Sequence, residues 1–517
     1  MNSQTPALHH DACYRALQAR DARFDGQIFT GVRSTGVYCR PVCKVRTPKP
    51  ENCRFFRLAA QAEQAGFRPC LRCRPELAPG NLHAAWSTQD ASAILALQAA
   101  QLLDAAAQSG QAQSMEAVAG TLGVSARHMR RIFEAQWGVS PLQYLQTCRL
   151  LCAKHLLTDT QLPVAHVAAL SGFGSLRRFN AAFVAHYRLQ PRALRKASSD
   201  NATPGPTSHR QTTAPSSTGV TLKASYRPPY DVAAMLAFLQ QRALSCVEAV
   251  DTQGLTYQRT LALAVQGTTL QGWVHMRFVP AQCAVELVVS DSLTPALPRL
   301  MAAMRHLLDL DADPQAIAAA LGASFGGQEG VRVPGTLDGF ELAVRAVLGQ
   351  QITVAAARTL GGRLVQSLGT PLATPWPTLT HLFPSAECLA RTSGDTLGAL
   401  GIVKTRQAAI VALAQAVASK QLALHPGGDV ARTVAALQAL PGIGPWTAHY
   451  VAMRALRWPD AFVAGDVAVQ TALGVRQHKH PAQEAERLSL AWRPWRSYAV
   501  VRAWHSLALP AAPKPAC

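Results

Sequence analysis

Acidic residues are scarce in this chain. Thirty Asp and Glu stand against fifty Lys and Arg in 517 residues, a formal net charge of +20. The surplus is not confined to one tail: residues 1–200 carry 24 basic and 12 acidic side chains, and residues 201–517 carry 26 and 18. Such a balance favours a polyanionic partner, most simply nucleic acid, with a merely high isoelectric point as the bland alternative. Charged residues make up only 15% of the chain, but 49% is hydrophobic, which excludes a disordered polyelectrolyte and implies folded, mainly helical domains. Long apolar runs are also missing. No stretch of about 18 uncharged apolar residues occurs, so no membrane span is expected. The opening MNSQTPALHHDACYR lacks an apolar core after a basic stretch, so no secretory leader is expected and the expected compartment is the cytoplasm. Twelve cysteines in 517 residues are too few for a disulfide framework, and in a reducing compartment paired cysteines mean metal or reactivity.

The length implies about three to four domains at ~100–200 residues each. The clearest break is SSDNATPGPTSHRQTTAPSSTG, rich in Ser, Thr, Pro and Gly with no apolar period. Before it lie a cysteine-bearing segment and a helical region. After it, LTYQRTLAL, LQGWVHMRF and CAVELVVS read as strands. From about residue 336 the pattern is helical again, broken by Gly and Pro.

Four cysteines form two knuckles, Cys39 and Cys43 in VYCRPVC and Cys70 and Cys73 in RPCLRCRP. The spacing, C-x3-C and then C-x2-C, lets each short loop aim two sulfurs at one tetrahedral Zn²⁺. On spacing alone a purely structural zinc is the favoured reading, with Cys13 and Cys53 as packing residues. Arg40, Lys44, Arg46, Lys49, Arg54, Arg57, Arg68, Arg72 and Arg74 crowd the same segment and could hold phosphates beside electron-rich sulfur. The stretch FDGQIFTGVRSTGVYCRPVCKVRTPKPENCRFF…AGFRPCLRCRP resembles the N-terminal domain of the Ada family of alkylation-response proteins. The resemblance implies that Cys39 accepts a methyl group from a DNA methylphosphotriester, that Cys43, Cys70 and Cys73 complete the zinc site, and that Arg46 lies near DNA.

SMEAVAGTLGVSARHMRRIFEAQWGVSP reads as helix, turn, helix, with Gly123 at the turn and Ser125 as N-cap. Ala117, Val118, Leu122, Val124, Met129, Ile132 and Phe133 supply its apolar face. A second copy follows in LPVAHVAALSGFGSLRRFNAAFVAHYRLQP, with Gly172 and Gly174 at the turn and Ser175 as cap. Two such units joined by LQYLQTCRLLCAKHLL resemble the AraC-type DNA-binding domain. The resemblance implies that both second helices enter successive major grooves, presenting Arg127, Arg130 and Arg131 from one and Arg177 and Arg178 from the other. The bland reading is a helical bundle with solvated arginines.

In LPGIGPWTAHYVAMRAL, Gly442 and Gly444 suit a tight hairpin whose bare N–H groups can approach a phosphate. Asp466 follows some twenty residues later in FVAGDVAVQTALG; on its own it could as well be a helix N-cap. Together with LDGFELAVRAVLGQQITVAAARTL and WRPWRSYAVVRAWH these stretches resemble the AlkA-type 3-methyladenine DNA glycosylases of the helix-hairpin-helix superfamily, and YRPPYDVAAMLAFLQQRAL with the strands after it resembles their small N-terminal domain. The resemblance implies Asp466 as the catalytic carboxylate and Trp446, Tyr450 and Trp504 as base-pocket rings, core packing being the plain alternative for each. The family's duplex wedge, a leucine, falls on Gln351. Three absences refine the expectation. Trp446 stands where bifunctional relatives carry a Schiff-base lysine, so no lyase step is expected. There is no C-terminal iron–sulfur cysteine run, and no PCHR-type alkyltransferase cysteine, which the usual Ada protein has.

The expected fold is multidomain and mainly α: a small α+β zinc domain (1–82), an AraC-type double helix-turn-helix (86–197), a linker (198–220), an α+β AlkA-type N-terminal domain (221–335) and an all-α helix-hairpin-helix glycosylase domain (336–512). The expected function is an alkylation-damage response protein, with irreversible methyl transfer to Cys39 coupled to transcriptional activation, and hydrolysis of the N-glycosidic bond of alkylated bases. Its expected partners are alkylated and promoter duplex DNA and RNA polymerase, in a bacterial, nucleoid-associated setting. The rival is a regulator whose glycosylase-like half only binds damaged DNA; a third class is a zinc-stabilised scaffold with no chemistry.

Overall fold

The computed structural model describes residues 8–80, 91–109, 114–200, 219–265, 267–426 and 429–508; most of the Ser/Thr/Pro-rich break lies outside the described residues. Two compact units form. The first takes in Met1–Pro228, Ala262–Arg305 and Leu310–Ala312, and the second Pro229–Leu261, His306–Asp309 and Asp313–Cys517.

The first unit opens with a four-stranded sheet of β1 (Phe29–Val32), β2 (Val37–Cys39), β3 (Cys53–Phe56) and β4 (Arg68–Pro69), in the order β3-β1-β2-β4. Phe29, Tyr38, Phe56 and Phe67 are its core. Gly31 is needed there, because a Cβ would come within 2.9 Å of the Phe56 and Phe67 rings. The one parallel strand pair, β2 with β4, sets Tyr38 against Pro69, so the residue that follows each is a cysteine, Cys39 and Cys70. Register alone thus brings the two knuckles together.

Helices Ala91–Ser109, Met115–Thr121, Ala126–Trp137, Pro141–Asp159, Val164–Leu170 and Leu176–Tyr187 follow. Ser125 Oγ accepts from His128 N, and Ser175 Oγ from Arg178 N, each at 3.2 Å, caps of about 1 kcal/mol apiece. Gly123 and Gly172 turn the chain at φ +68° and +78°, whereas Gly174 has no such need. Val118, Met129, Ile132 and Phe133 are buried as the apolar period requires. Ala117 is exposed, and Ala119, two positions on, occupies the core instead.

Five strands make the second sheet: β5 (Gly219–Ser225), β6 (Glu248–Asp251), β7 (Thr256–Val265), β8 (Thr268–Val279) and β9 (Ala284–Ser290), in the order β5-β9-β8-β7-β6. In the second unit, helix Gly339–Leu348 is buried on nearly every side, and its two charged residues must find partners inside. Glu341 and Arg345 do so with Glu248 and Arg259. Arg259 reaches Glu341 at 2.5 Å and Glu248 at 3.4 Å, and Arg345 reaches Glu248 at 2.9 Å and Glu341 at 2.7 Å. Burial alone would raise the Glu248 carboxyl, but Arg345 and Arg259 outweigh it and hold it at about 2.

Removing one member strands a buried charge. Glu341→Ala is expected to lower the stability of this unit by about 3–5 kcal/mol in urea unfolding. Because the folded pKa of Glu248 is depressed, its contribution is full above the ordinary carboxylate range near 4.3 and disappears as pH falls toward 2. An acid titration of wild type and Glu248→Gln followed by circular dichroism should show the difference between them shrinking over that window.

Candidate metal centre, DNA-reading helices and base pocket

The sulfurs of Cys39, Cys43, Cys70 and Cys73 all lie within 4.8 Å of one another. Cys39, Cys43 and Cys70 are buried and Cys73 is half-buried. The donor set is purely sulfur, which suits a tetrahedral Zn²⁺ with Zn–S bonds of about 2.3 Å. The protein alone leaves these groups in conflict. Hydrogen bonds among the four drive Cys70 far below the usual thiol range and Cys43 to about 7, while pushing Cys39 and Cys73 above it. A divalent cation relieves that conflict, so the residues fit the ion. Cys13 and Cys53 are buried packing residues, as their position outside the knuckles implies.

The basic residues around the knuckles divide into two kinds. Lys44, Arg46, Lys49, Arg54 and Arg72 are exposed. Arg40 and Arg74, expected among the phosphate-binding cations, are instead structural. Arg40 is buried and paired with Asp25, and Arg74 pairs with Glu76 at 3.0 Å and with Asp159. Arg40 also braces the centre, its backbone N–H donating to Cys73 Sγ at 3.3 Å and its guanidinium to the Cys73 carbonyl at 3.1 Å. The buried Lys154, on the helix that joins the two helix-turn-helix units, pairs with Glu76 and donates to the Cys70 carbonyl at 3.3 Å.

Arg127, Arg130 and Arg131 are exposed on helix Ala126–Trp137, and Arg177 and Arg178 on helix Leu176–Tyr187. Arg130 meets Glu134 at 2.8 Å, an exposed pair weak enough to yield to a phosphate or base edge.

In the second unit, Asp466 caps helix Val467–Ala472 through its Oδ1, which accepts from Val469 N at 2.8 Å. The cap reading is therefore right, but it is half of the matter. Trp504 Nε1 donates to the same oxygen at 3.1 Å, and Trp446 Nε1 to Oδ2 at 2.9 Å. Trp446 and Tyr450 occupy one face of helix Pro445–Arg454 and stack with centroids 5.1 Å apart and planes 10° off parallel; Trp504 lies 6.2 Å from Tyr450. The three aromatic candidates and the acid thus form one constellation. Two glycines precede it. Gly442 has φ +73° and a Cβ there would meet Ala409 at 3.1 Å, while Gly444 has open space where a side chain would stand. Gln350 ties the neighbouring loop to this hairpin, donating to the Gly442 carbonyl at 2.9 Å and to Thr447 Oγ1 at 3.0 Å. Gln351 is exposed and left-handed, at φ +56°.

Sequence reasoning missed Phe238, Arg242 and Arg454. Phe238 stacks on Trp504 at 6.5 Å; Arg242 lies 3.7 Å over the Phe238 ring; Arg454 is buried between Phe238 and Tyr450 and donates to Tyr450 Oη at 2.5 Å. Burial would raise the Tyr450 phenol, but Arg454 and Arg242 bring it below the usual tyrosine range. The signal was present: Phe238 and Arg242, and Tyr450 and Arg454, are both aromatic–arginine pairs four residues apart on a helix.

A sulfur cluster, two capped helix-turn-helix units and a hairpin beside a caged carboxylate define a multidomain DNA-repair protein that also reads DNA. The comparisons with known proteins agree. Residues 12–76 match the family described as the metal binding domain of Ada, 118–197 a helix-turn-helix domain, 221–338 the AlkA N-terminal domain, and 344–496 the HhH-GPD superfamily of base excision DNA repair proteins. A protein of Mycobacterium tuberculosis named "Probable bifunctional transcriptional activator/DNA repair enzyme AlkA" is 38% identical over 97% of this chain and 98% of its own length. DNA-3-methyladenine glycosylase 2 of Escherichia coli is 35% identical over 54% of this chain and 96% of its own, and the regulatory protein ada of Salmonella typhimurium 36% over 32% and 43%. The chain belongs to the family of bifunctional transcriptional activator/DNA repair enzymes of the AlkA type. Among the described residues no helix is long and apolar enough to cross a membrane.

Chelation at neutral pH is expected to unfold residues 12–76 selectively, because the four sulfurs lose the ion that reconciles them. Hydrogen exchange should rise across β1, β2 and β4 while helix Gly339–Leu348 stays protected.

Proposed function

We propose that this chain acts on alkylated DNA in two ways, cutting out alkylated bases with its second unit and taking a methyl group from phosphotriesters with its metal centre, which in turn switches a promoter-binding activator. The observation that carries the excision reading is the Asp466 carboxylate, held at both oxygens by indole N–H groups beside a stack of rings. An N3-alkylated purine is cationic, so its glycosidic bond is weak and the base leaves neutral. Extruding the nucleotide costs a few kcal/mol. Arg242 and Arg454 already lie against Phe238 and Tyr450, so the faces left to attract a cationic base belong to Trp446 and Trp504, worth about 0.5–2 kcal/mol each. Asp466 then faces the positive charge growing on the sugar and assists attack of water at the anomeric carbon. Trp446 in the place of a Schiff-base lysine favours hydrolysis alone.

For methyl transfer the argument is one of contrast among the sulfurs. Cys73 Sγ accepts the Arg40 N–H at 3.3 Å. A hydrogen bond draws charge from a sulfur, which makes Cys73 a weaker nucleophile, and Cys39 is taken as the acceptor because it is the first cysteine of the Ada-type motif. A bound zinc ion would keep the sulfurs deprotonated at neutral pH. Cys39 Sγ takes the methyl carbon, the methyl–oxygen bond breaks, and its electrons stay on the phosphodiester. Four thiolates around Zn²⁺ carry about −2 and the methylated set about −1. Removing one unit of repulsion ~8 Å from a phosphate, at an effective dielectric of ~20, is worth ~2 kcal/mol, roughly 30-fold in DNA affinity. Exposed Arg46 and the arginines of both recognition helices, Arg127, Arg130, Arg131, Arg177 and Arg178, then engage the duplex, and RNA polymerase is the partner of the activator. Gly442 and Gly444 receive the backbone near the lesion, with Gln351 beside the gap left by the flipped base.

Incubation with methylated duplex DNA tests both chemistries at once. Free alkylated base should be released, and Asp466→Asn should lower the rate by at least about 10²–10³-fold. Trp504→Phe, which keeps a ring and removes the N–H, should also lower the rate with folding intact, because Asp466 Oδ1 loses one of its two donors. Intact mass should show one methyl on the wild type and none on Cys39→Ser. No base release by the wild type favours the regulator that only binds.

A further inference from the structure

The chain that leaves the metal domain, residues 78–80, runs into a dense set of polar contacts within the first unit. Arg227, two residues past β5, is fully buried, and all five of its N–H groups are used on backbone carbonyls from three segments. Nε donates to Asp25 O at 2.7 Å; Nη1 to Asp311 O at 2.7 Å and Ala312 O at 3.0 Å; Nη2 to Pro79 O at 3.3 Å and Gly80 O at 2.5 Å. Beside it the Asp311 carboxylate accepts the Gly80 N–H at 2.7 Å and pairs with Arg305, which donates in turn to Ala78 O at 3.0 Å. Gly26, at φ +73°, lets the chains close: a Cβ there would stand 1.9 Å from Pro79 O.

A guanidinium taken out of water is tolerated only where its donors are met, and here five bonds run to segments that are remote in sequence. We propose that this is a built docking surface, on which the metal domain is seated against β5 and the 310–312 turn of the same chain, with Arg227 as the fastener. Asp25 joins the fastener to the sulfurs. Its carbonyl takes the Arg227 bond, and its carboxylate grips Arg40, which braces Cys73. The sensor end and the first strand of the AlkA-type domain therefore move as one body, whatever the 198–220 stretch does.

Hydrogen exchange on the full-length zinc-loaded chain tests this. Arg227→Gln should speed exchange in the 24–28, 78–80 and 310–312 segments by roughly tenfold or more, with zinc content and protection of β1 and β2 unchanged. Wild-type exchange in those three segments overturns the proposal. Should Arg227→Gln fail to fold, Gly26→Ala forces the same joint apart from the other side. It should give the same signature, and wild-type exchange in that variant likewise overturns the proposal.

Discussion

A charge taken out of water has to be met within a few ångströms, and that requirement governs every working part of this chain. Four sulfurs are gathered beside the β2–β4 pair into a space that suits a divalent cation. Arg40 is buried beside them on Asp25, and Lys154 on Glu76. In the second unit Glu248, Arg259, Glu341 and Arg345 close a square of opposite charges under the most buried helix. Arg345 also holds the Arg242 carbonyl, so the square supports the residue that backs the Phe238 ring of the pocket. Scarce acids are thus placed where they matter: Asp25, Glu248 and Glu341 are all buried against arginines.

What could be read from residue order alone is unevenly distributed, for physical reasons. Local spacing exposed the cysteine knuckles, the two turns with their serine caps and the glycine hairpin, because each is made by neighbours in the chain. Asp466 was legible as a candidate but not as a caged group, since its two indole partners lie 20 and 38 residues away. Arg40 and Arg74 were read as phosphate ligands because charge near a cysteine looks the same whether it is exposed or paired; only Asp25 and Asp159, brought in by the fold, tell them apart. Ala117 was taken for a core residue because alanine fits either face of a helix. Arg227 gave no sign at all: carbonyl partners carry no side-chain identity, so a guanidinium satisfied by backbone leaves no pattern to find.

The pocket shows how arginine can serve a site meant for cations. Arg242 lies over the Phe238 ring and Arg454 against Phe238 and Tyr450, so on the proposed function they occupy electron density that would otherwise attract the base. They hold the rings in place and, on the same reading, leave the two tryptophans as the receptive surfaces. The same tryptophans donate their N–H groups to Asp466, so on the proposed function the groups that hold the base and the group that meets the sugar are tied together.

The two centres differ in what happens to them afterwards. On the reading proposed here, Asp466 regains its starting state after each excision. Cys39 does not. One end of the molecule is thus a tool that turns over and the other a fuse that blows once. A population of such chains keeps a running tally of past exposure in its methylated fraction even after the lesions themselves have gone.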